Sequence, residues 1–226
     1  MTRPLVIVGA GGFSRETAEA VRAINDVRPT WDLLGFADDD PRLAGRSLEG
    51  LPVLGPVDEV LAAHDNASVV VCTGRPDNYF SRARLVARMN LPAHRYATLI
   101  HPAAAVGPSS SVGAGSVILA GVVVTAAATI GDHVAIMPGT VITHDDVLED
   151  FTTVTSGVRL GGSVTVGRGA YLGAGCLIRQ DLSIGVWSLV GMGSIVTRPV
   201  PDAEVWFGNP ARRHDSVDVP ADLGRG

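Results

Sequence analysis

The residues best suited to chemistry in this chain stand together at Thr143-His144-Asp145-Asp146. Imidazole titrates closest to neutrality of all side chains, so histidines as a class accept protons from attacking amines or hydroxyls. A lone outward histidine is more often incidental than catalytic, but here two acids follow at once. A carboxylate at Asp145 is suited to orient the His144 ring and to stabilise its protonated form. Adjacent strand residues face opposite ways, so that contact requires a corner in the chain. His101, which precedes Pro102, and His133, in Gly131-Asp132-His133, read as surface residues. Cys72 and Cys176 read as core residues, and the spacing contains no Ser-His-Asp set.

The corner that His144 needs belongs to a repeat. Every sixth residue from Ile100 to Val196 is Ile, Leu or Val, seventeen positions without an insertion. Small residues come four later, as at Ser110, Ala128, Thr140, Ala170, Cys176 and Ser188, and glycine often follows the aliphatic residue directly. Such a chain turns every six residues and stacks its aliphatic side chains inward. Three short faces close a coil of about 18 residues, and coils stack at roughly the 4.8 Å inter-strand spacing. The spacing therefore predicts an all-β parallel β-helix over residues 100–200, and the period leaves its handedness open. Gly162 lies one coil beyond His144 and stacks over it. With Gly161 beside it the backbone is bare, so the Gly162 N–H is placed to donate to an oxyanion; a plain corner glycine is the other reading. His133 and His144 are not one coil apart and no third histidine stands near, so no metal site is expected. Few large or charged residues cover the outer faces, which favours burial of a face against copies of the chain.

The first hundred residues follow another rule. The apolar run Leu5 to Val8 precedes Gly9-Ala10-Gly11-Gly12-Phe13-Ser14-Arg15-Glu16 and a helical pattern to about Asn25. A strand, glycine turn and helix N-terminus in that order receive phosphate on backbone N–H groups, although a purely structural tight turn has the same appearance. A second strand, Leu33 to Ala37, ends in Asp38-Asp39-Asp40, where acids commonly bind ribose or base. A third strand, Val69 to Cys72, and a helix, Asp77 to Met89, complete an abbreviated Rossmann-like α/β domain over residues 1–99. It is too short for a full dinucleotide site, which argues against an NAD enzyme.

Composition narrows the function further. A net charge of −5 gives no basic footprint for nucleic acid. No uninterrupted apolar run reaches a membrane span, and the first residues lack a signal-peptide pattern. Two isolated cysteines make no disulfide framework, so the expected location is cytoplasmic.

Taken in order, the glycine turn with Glu16, Gly35-Phe36-Ala37-Asp38-Asp39-Asp40, the hexads with Thr143-His144-Asp145-Asp146, and Gly208-Asn209-Pro210-Ala211-Arg212 resemble one family over nearly the whole chain. It is the bacterial nucleotide-sugar and sialic acid acyltransferases, which include the N-acetyltransferase of a UDP-4-amino sugar in bacillosamine synthesis. The resemblance implies a left-handed β-helix, a homotrimer, and acetyl-CoA as acyl donor in a groove between subunits. It makes His144 the general base, with Asp145 and Gly162 beside it, and has Gly9, Gly11, Gly12, Phe13, Asp38, Asp39 and Met137 near the nucleotide sugar. Gly161, Gly173, Ala174, Gly175, Gly191 and Gly193 would line the donor strip. Gly208, Pro210 and Arg212 belong to a C-terminal segment, residues 201–226, that contacts CoA, caps the solenoid and ends in a frayed tail from Asp215; the N-terminal domain caps the other end. This chain has Met137 where better-studied members have Asn, Thr153 where they have a second His, and Phe13 where many have His. Those departures keep two alternatives open: acylation of a hydroxyl or free small molecule, and a non-catalytic trimeric binding protein.

Overall fold

The computed structural model describes residues 2–224. Its first part contains β1 (Arg3–Val8), α1 (Gly12–Val27), β2 (Trp31–Ala37), β3 (Ser47–Leu48), β4 (Leu51–Gly55), α2 (Val57–Ala63), β5 (Ser68–Val71) and α3 (Ser81–Met89). The sheet order is β3-β4-β2-β1-β5, and only β3 runs antiparallel to its neighbour. Leu5 to Val8 are fully buried, because β1 is covered on both faces and therefore shows no alternation. β2 lies on one side of β1 and β5 on the other. That reversal of strand order opens a crevice at the carboxyl ends of β1 and β5. Three elements are additional to the sequence expectation: β3, β4 and α2, whose Pro52, Gly55 and Pro56 masked any strand period. α3 starts at Ser81 instead of Asp77, since Arg75 to Asn78 form a turn closed by the Asn78 N–H to Arg75 O hydrogen bond of 2.9 Å.

From Leu99 the chain is a left-handed parallel β-helix of two-residue strands. Each strand pairs with the one 18 residues on, as in Val123↔Val141 and Val124↔Ile142. The first face carries Leu99–Ile100, Val117–Ile118 and their successors, the second Ala105–Val106 and its successors, the third Ser111–Val112 and its successors. The second residue of each strand points inward, and from Ile118 onward all are buried. Full burial of such a side chain contributes roughly 1.5–3 kcal/mol.

The three outer faces differ. The first, with Leu99, Val117, Ala135, Thr153 and Tyr171, is buried under the α/β part. The third is polar and exposed through Ser111, Thr129, Thr165 and Ser183. The second exposes Ala105, Val123, Arg159 and Leu177, with Val141 and Ile195 half-buried, and is mostly apolar yet uncovered.

The three corners differ as well. Between first and second faces the left-handed position is always glycine, at Gly121, Gly139, Gly157, Gly175 and Gly193. Between second and third it is Ala127, Asp145, Ser163 and Asp181. Between third and first it includes His133, Phe151 and Trp187. The α/β part packs on that aromatic corner and the first face, through Tyr79 Oη to Trp187 O at 2.9 Å and Arg82 to Phe151 O at 2.8 Å. It does not cap the end of the prism. Ile100 remains 38% exposed, and Val106 and Val112 are only partly buried. The apolar first face and its aromatic corner offer more surface to bury than the narrow coil end.

At the far end, Glu204–Gly208 and Ala211–Ser216 form an antiparallel ribbon that extends the first face, and Trp206 and Ala211 close the interior. The tail is folded rather than frayed as far as Gly224. Val217 N–H bonds Ala203 O at 2.7 Å, Asp222 pairs with Arg84 at 2.9 Å, and Val217, Val219 and Leu223 pack beside Trp187. Arg225 and Gly226, also assigned to the frayed tail, lie outside the described residues. No described helix is long and apolar enough to cross a membrane.

Candidate active site

His144 and Asp145 occupy the corner between second and third faces, and both are mostly exposed. Asp145 has φ +61°, the left-handed turn that lets two consecutive side chains meet, and its Oδ2 lies 2.8 Å from His144 Nδ1. A carboxylate only accepts, so in the neutral ring Nδ1 is the donor and Nε2 is left with the lone pair. Asp146 does different work. Fully buried, it accepts Thr143 N–H at 2.7 Å and Val164 N–H at 2.8 Å, pinning this corner to the next coil. Burial pushes its carboxyl above the ordinary value, against those two donors.

One coil later the chain repeats the corner without a side chain. Ser163 N–H bonds His144 O at 2.9 Å, and a Cβ on Gly162 would run into the His144 ring. The Gly162 N–H has no acceptor among the described residues. Gly161 is different: its N–H is spent on Ile178 O, and a Cβ there would lie 2.6 Å from Gln180 N, so close coil packing accounts for it.

Apart from Gly161, the donor-strip residues gather at the glycine corner. Gly193 N–H bonds Ala174 O at 2.8 Å, and Gly173 N–H bonds Val190 O at 2.8 Å. A Cβ on Gly175 or Gly193 would meet nothing within 4 Å, so the strip is open. Gly208 N–H bonds Ser194 Oγ at 3.2 Å, which sets the Gly208–Ala211 turn at the end of this corner, with Pro210 and Arg212 exposed. Gly191 lies against Phe207, leaving no room for a side chain.

The third group lies in a cavity of about 490 Å³ at the β1/β5 switch point, lined by Gly9 to Phe13, Asp38, Cys72 to Pro76, Asn78 and Ser81. Gly9, at φ +100°, passes so close to β5 that a Cβ would sit 2.9 Å from Cys72 O. Ser14, fully buried where dinucleotide motifs place glycine, donates to Cys72 O at 3.0 Å and ties α1 to the end of β5. The N–H groups of Gly11 and Gly12 find no acceptor among the described residues and head a 16-residue helix. Such an N-terminus favours an anion. Asp38 shapes the turn, accepting Ala10 N–H at 2.8 Å and Asp40 N–H at 2.9 Å. Asp39 does not line the cavity; it accepts Val57 N–H at 3.0 Å and pairs with Arg88 at 2.8 Å. Thr73, Gly74, Asn78 and Ser81 escaped sequence reasoning, although the residues after β5 are where a switch point puts ligand contacts.

Met137 stands at the glycine corner and packs in the same cluster as Phe13. It is not among the residues that line the cavity. His144 is seven residues on, across the second face, so one chain does not bring the two together. His133 is also not where the sequence suggested. It is buried, stacked on Phe151 at 5.1 Å and edge-on to Tyr96 at 4.5 Å, and burial pulls its pKa down to about 4. Thr153 is buried too, accepting from Arg82 at 2.7 Å. Burial pushes both Cys72 and Cys176 thiols up to about 12, which suits core residues. Among the described residues no group of three or more His, Cys, Asp or Glu is arranged to hold a metal ion.

Comparison with known proteins shows what the whole chain is similar to. The PglD N-terminal domain family matches residues 4–89. A variant of perosamine N-acetyltransferase from Caulobacter crescentus, solved with CoA and GDP-perosamine, superposes with a TM-score of 0.83 at 29% identity, over 94% of this chain and 97% of that one. The chain is similar to nucleotide-sugar acyltransferases. The acetyltransferase domain of PglB from Neisseria gonorrhoeae aligns over 94% of this chain and 100% of its own, with TM-score 0.81 and 29% identity. The acyl-[acyl-carrier-protein]–UDP-N-acetylglucosamine O-acyltransferase of Stutzerimonas stutzeri is 40% identical over 83 residues. That match spans 37% of this chain and only 32% of the curated relative's length.

Proposed function

We propose that the protein transfers an acetyl group from acetyl-CoA to the amine of a nucleotide-linked amino sugar, as a cytoplasmic homotrimer. The observation that carries this is His144, held by Asp145 with Nε2 free, lying against the bare backbone of Gly162. In the reaction the amine nitrogen attacks the thioester carbonyl. Nε2 of His144 takes the proton the nitrogen sheds, and Asp145 steadies the imidazolium. The Gly162 N–H donates to the oxyanion. As the tetrahedral species collapses the C–S bond breaks, and the departing thiolate takes the proton back from His144. No covalent enzyme intermediate forms.

The trimer explains why binding and base residues occupy different edges. The apolar second face is the uncovered one, and burying it favours self-association. Three prisms turning that face to a common axis set the glycine corner of one copy beside the His144 corner of the next. The nucleotide cavity, Met137 and the donor strip of one copy then meet the base of its neighbour.

Thiol release from acetyl-CoA in the presence of GDP-, UDP- and dTDP-linked 4-amino sugars tests the reading. Turnover with one of them is expected, and none with any would contradict it. The O-acyltransferase relatives favour a second reading, acylation of a sugar hydroxyl. A hydroxylated nucleotide sugar turned over faster than every amine would install that reading instead.

A further inference from the structure

Arg82 is buried to 1% exposure, yet none of its partners is acidic. Its Nη1 donates to Thr73 O at 2.8 Å, and its Nη2 to Phe151 O at 2.8 Å, Thr152 O at 3.1 Å and Thr153 Oγ1 at 2.7 Å. Nε is buried without a partner. Among the described residues no carboxylate lies within ion-pair distance. Burying a cation without a counter-ion is strongly unfavourable, and a shell of neutral hydrogen-bond acceptors does not discharge it.

The position of this charge is informative. Thr73 and Gly74 form the wall of the cavity facing the glycine turn, and Arg82 lies directly behind them. A Cβ on Gly74, at φ +134°, would lie 3.2 Å from Arg82 Nη1. The same cavity is lined by Gly11 and Gly12, whose N–H groups find no acceptor among the described residues at the head of α1. The one carboxylate lining the cavity, Asp38, has both oxygens turned into backbone hydrogen bonds. The Arg82 cation and the head of α1 therefore act with the same sign on one space, against the single Asp38 carboxylate.

We infer that Arg82 is a positioning residue whose buried charge makes this cavity select a diphosphate over a monophosphate or an uncharged nucleoside. This rests on the cavity being the nucleotide site. Arg82 reaches the ligand through the Thr73–Gly74 wall rather than by contact. Because the charge is buried, its attraction is screened by salt far less than that of a surface arginine. The same guanidinium fastens the wall to the solenoid corner at residues 151–153, so the wall stays fixed when the diphosphate arrives.

The test is calorimetric titration with guanosine, GMP and GDP, and with uridine, UMP and UDP, at two salt concentrations. Wild-type protein is compared with Arg82→Lys, Arg82→Gln and Thr153→Val, and acetyl-CoA affinity reports an intact solenoid. In Arg82→Gln the diphosphate should weaken at least about tenfold relative to its nucleoside, with acetyl-CoA binding unchanged. Arg82→Lys and Thr153→Val should keep the diphosphate-to-nucleoside ratio within about threefold of wild type. If Arg82→Gln fails to fold, the lysine variant decides, since a merely structural fork would be lost there and the ratio with it. A Gln variant that weakens nucleoside and diphosphate equally, or neither, overturns the role of Arg82 alone. Wild-type protein that binds neither series overturns the nucleotide reading and this role together.

Discussion

His133 and His144 sit at neighbouring corners of the same solenoid, each one turn from a β-strand, and the fold makes opposite things of them. His133 lies at the corner covered by the α/β part, between Phe151 and Tyr96, and burial holds it neutral down to about pH 4. His144 lies at the uncovered corner with Asp145 on Nδ1 and a glycine in place of an aromatic ring above it. The difference teaches that the corner supplies the geometry, while the residue one coil away decides between packing and chemistry. Phe151 follows His133 by 18 residues, and Gly162 follows His144 by 18.

Exchange experiments should break this symmetry in opposite directions. His144→Ala should lower turnover by about a thousandfold with melting temperature unchanged, because removing a general base costs roughly 10²–10⁴ and the side chain is exposed. Steady-state kinetics beside thermal melting checks both halves. His133 should show the reverse, a stability effect tied to pH. An unfolded histidine takes a proton near 6.5, whereas folded His133 resists to about 4. Between those values the unfolded state binds more protons, so stability falls as pH drops from 6.5 toward 4, by up to about 3 kcal/mol. His133→Phe, with Phe151 as precedent for that ring and backbone, should flatten this part of the melting-versus-pH curve and leave turnover intact.

Two smaller effects sharpen the chemical corner. Gly162→Ala should displace the His144 ring and cut kcat about a hundredfold, with little change in KM for acetyl-CoA. Asp145→Asn keeps a residue that tolerates the left-handed turn but removes the charge, and should lower kcat about tenfold. A KM effect as large as the kcat effect in either variant would place these residues in donor binding instead.

Much of this was legible because the period of six is also a coordinate system. A step of 18 residues sets Gly162 over His144 and pairs Gly173–Gly175 with Gly191–Gly193. The same arithmetic separates Met137 from His144, since seven residues cannot share a corner, although resemblance had set them in one site. What a local pattern does not carry is which face a second domain covers. The burial of His133, Thr153 and Tyr171 and the openness of the coil at Ile100 follow from that docking. The tail escaped for a related reason: Val217, Val219 and Leu223 are too sparse to form a period, and their partners Tyr79 and Trp187 lie far away in sequence. Asp39 looked like a ligand contact because acids follow β2, but Arg88 and the head of α2 claim it.

The most direct test of the split site is complementation. Gly11→Asp places a favoured helix N-cap where the phosphate would bind, so it should fold while closing the cavity. His144→Ala leaves the cavity open and removes the base. Each homotrimer should be inactive alone. Co-expressed in equal amounts under separate tags, one interface in four joins an intact cavity to an intact His144. The unfractionated mixture should therefore recover about a quarter of wild-type turnover, and trimers purified through both tags about a third. Turnover no higher than that of either parent would show that one chain completes its own site, and would contradict the division of labour between the two corners.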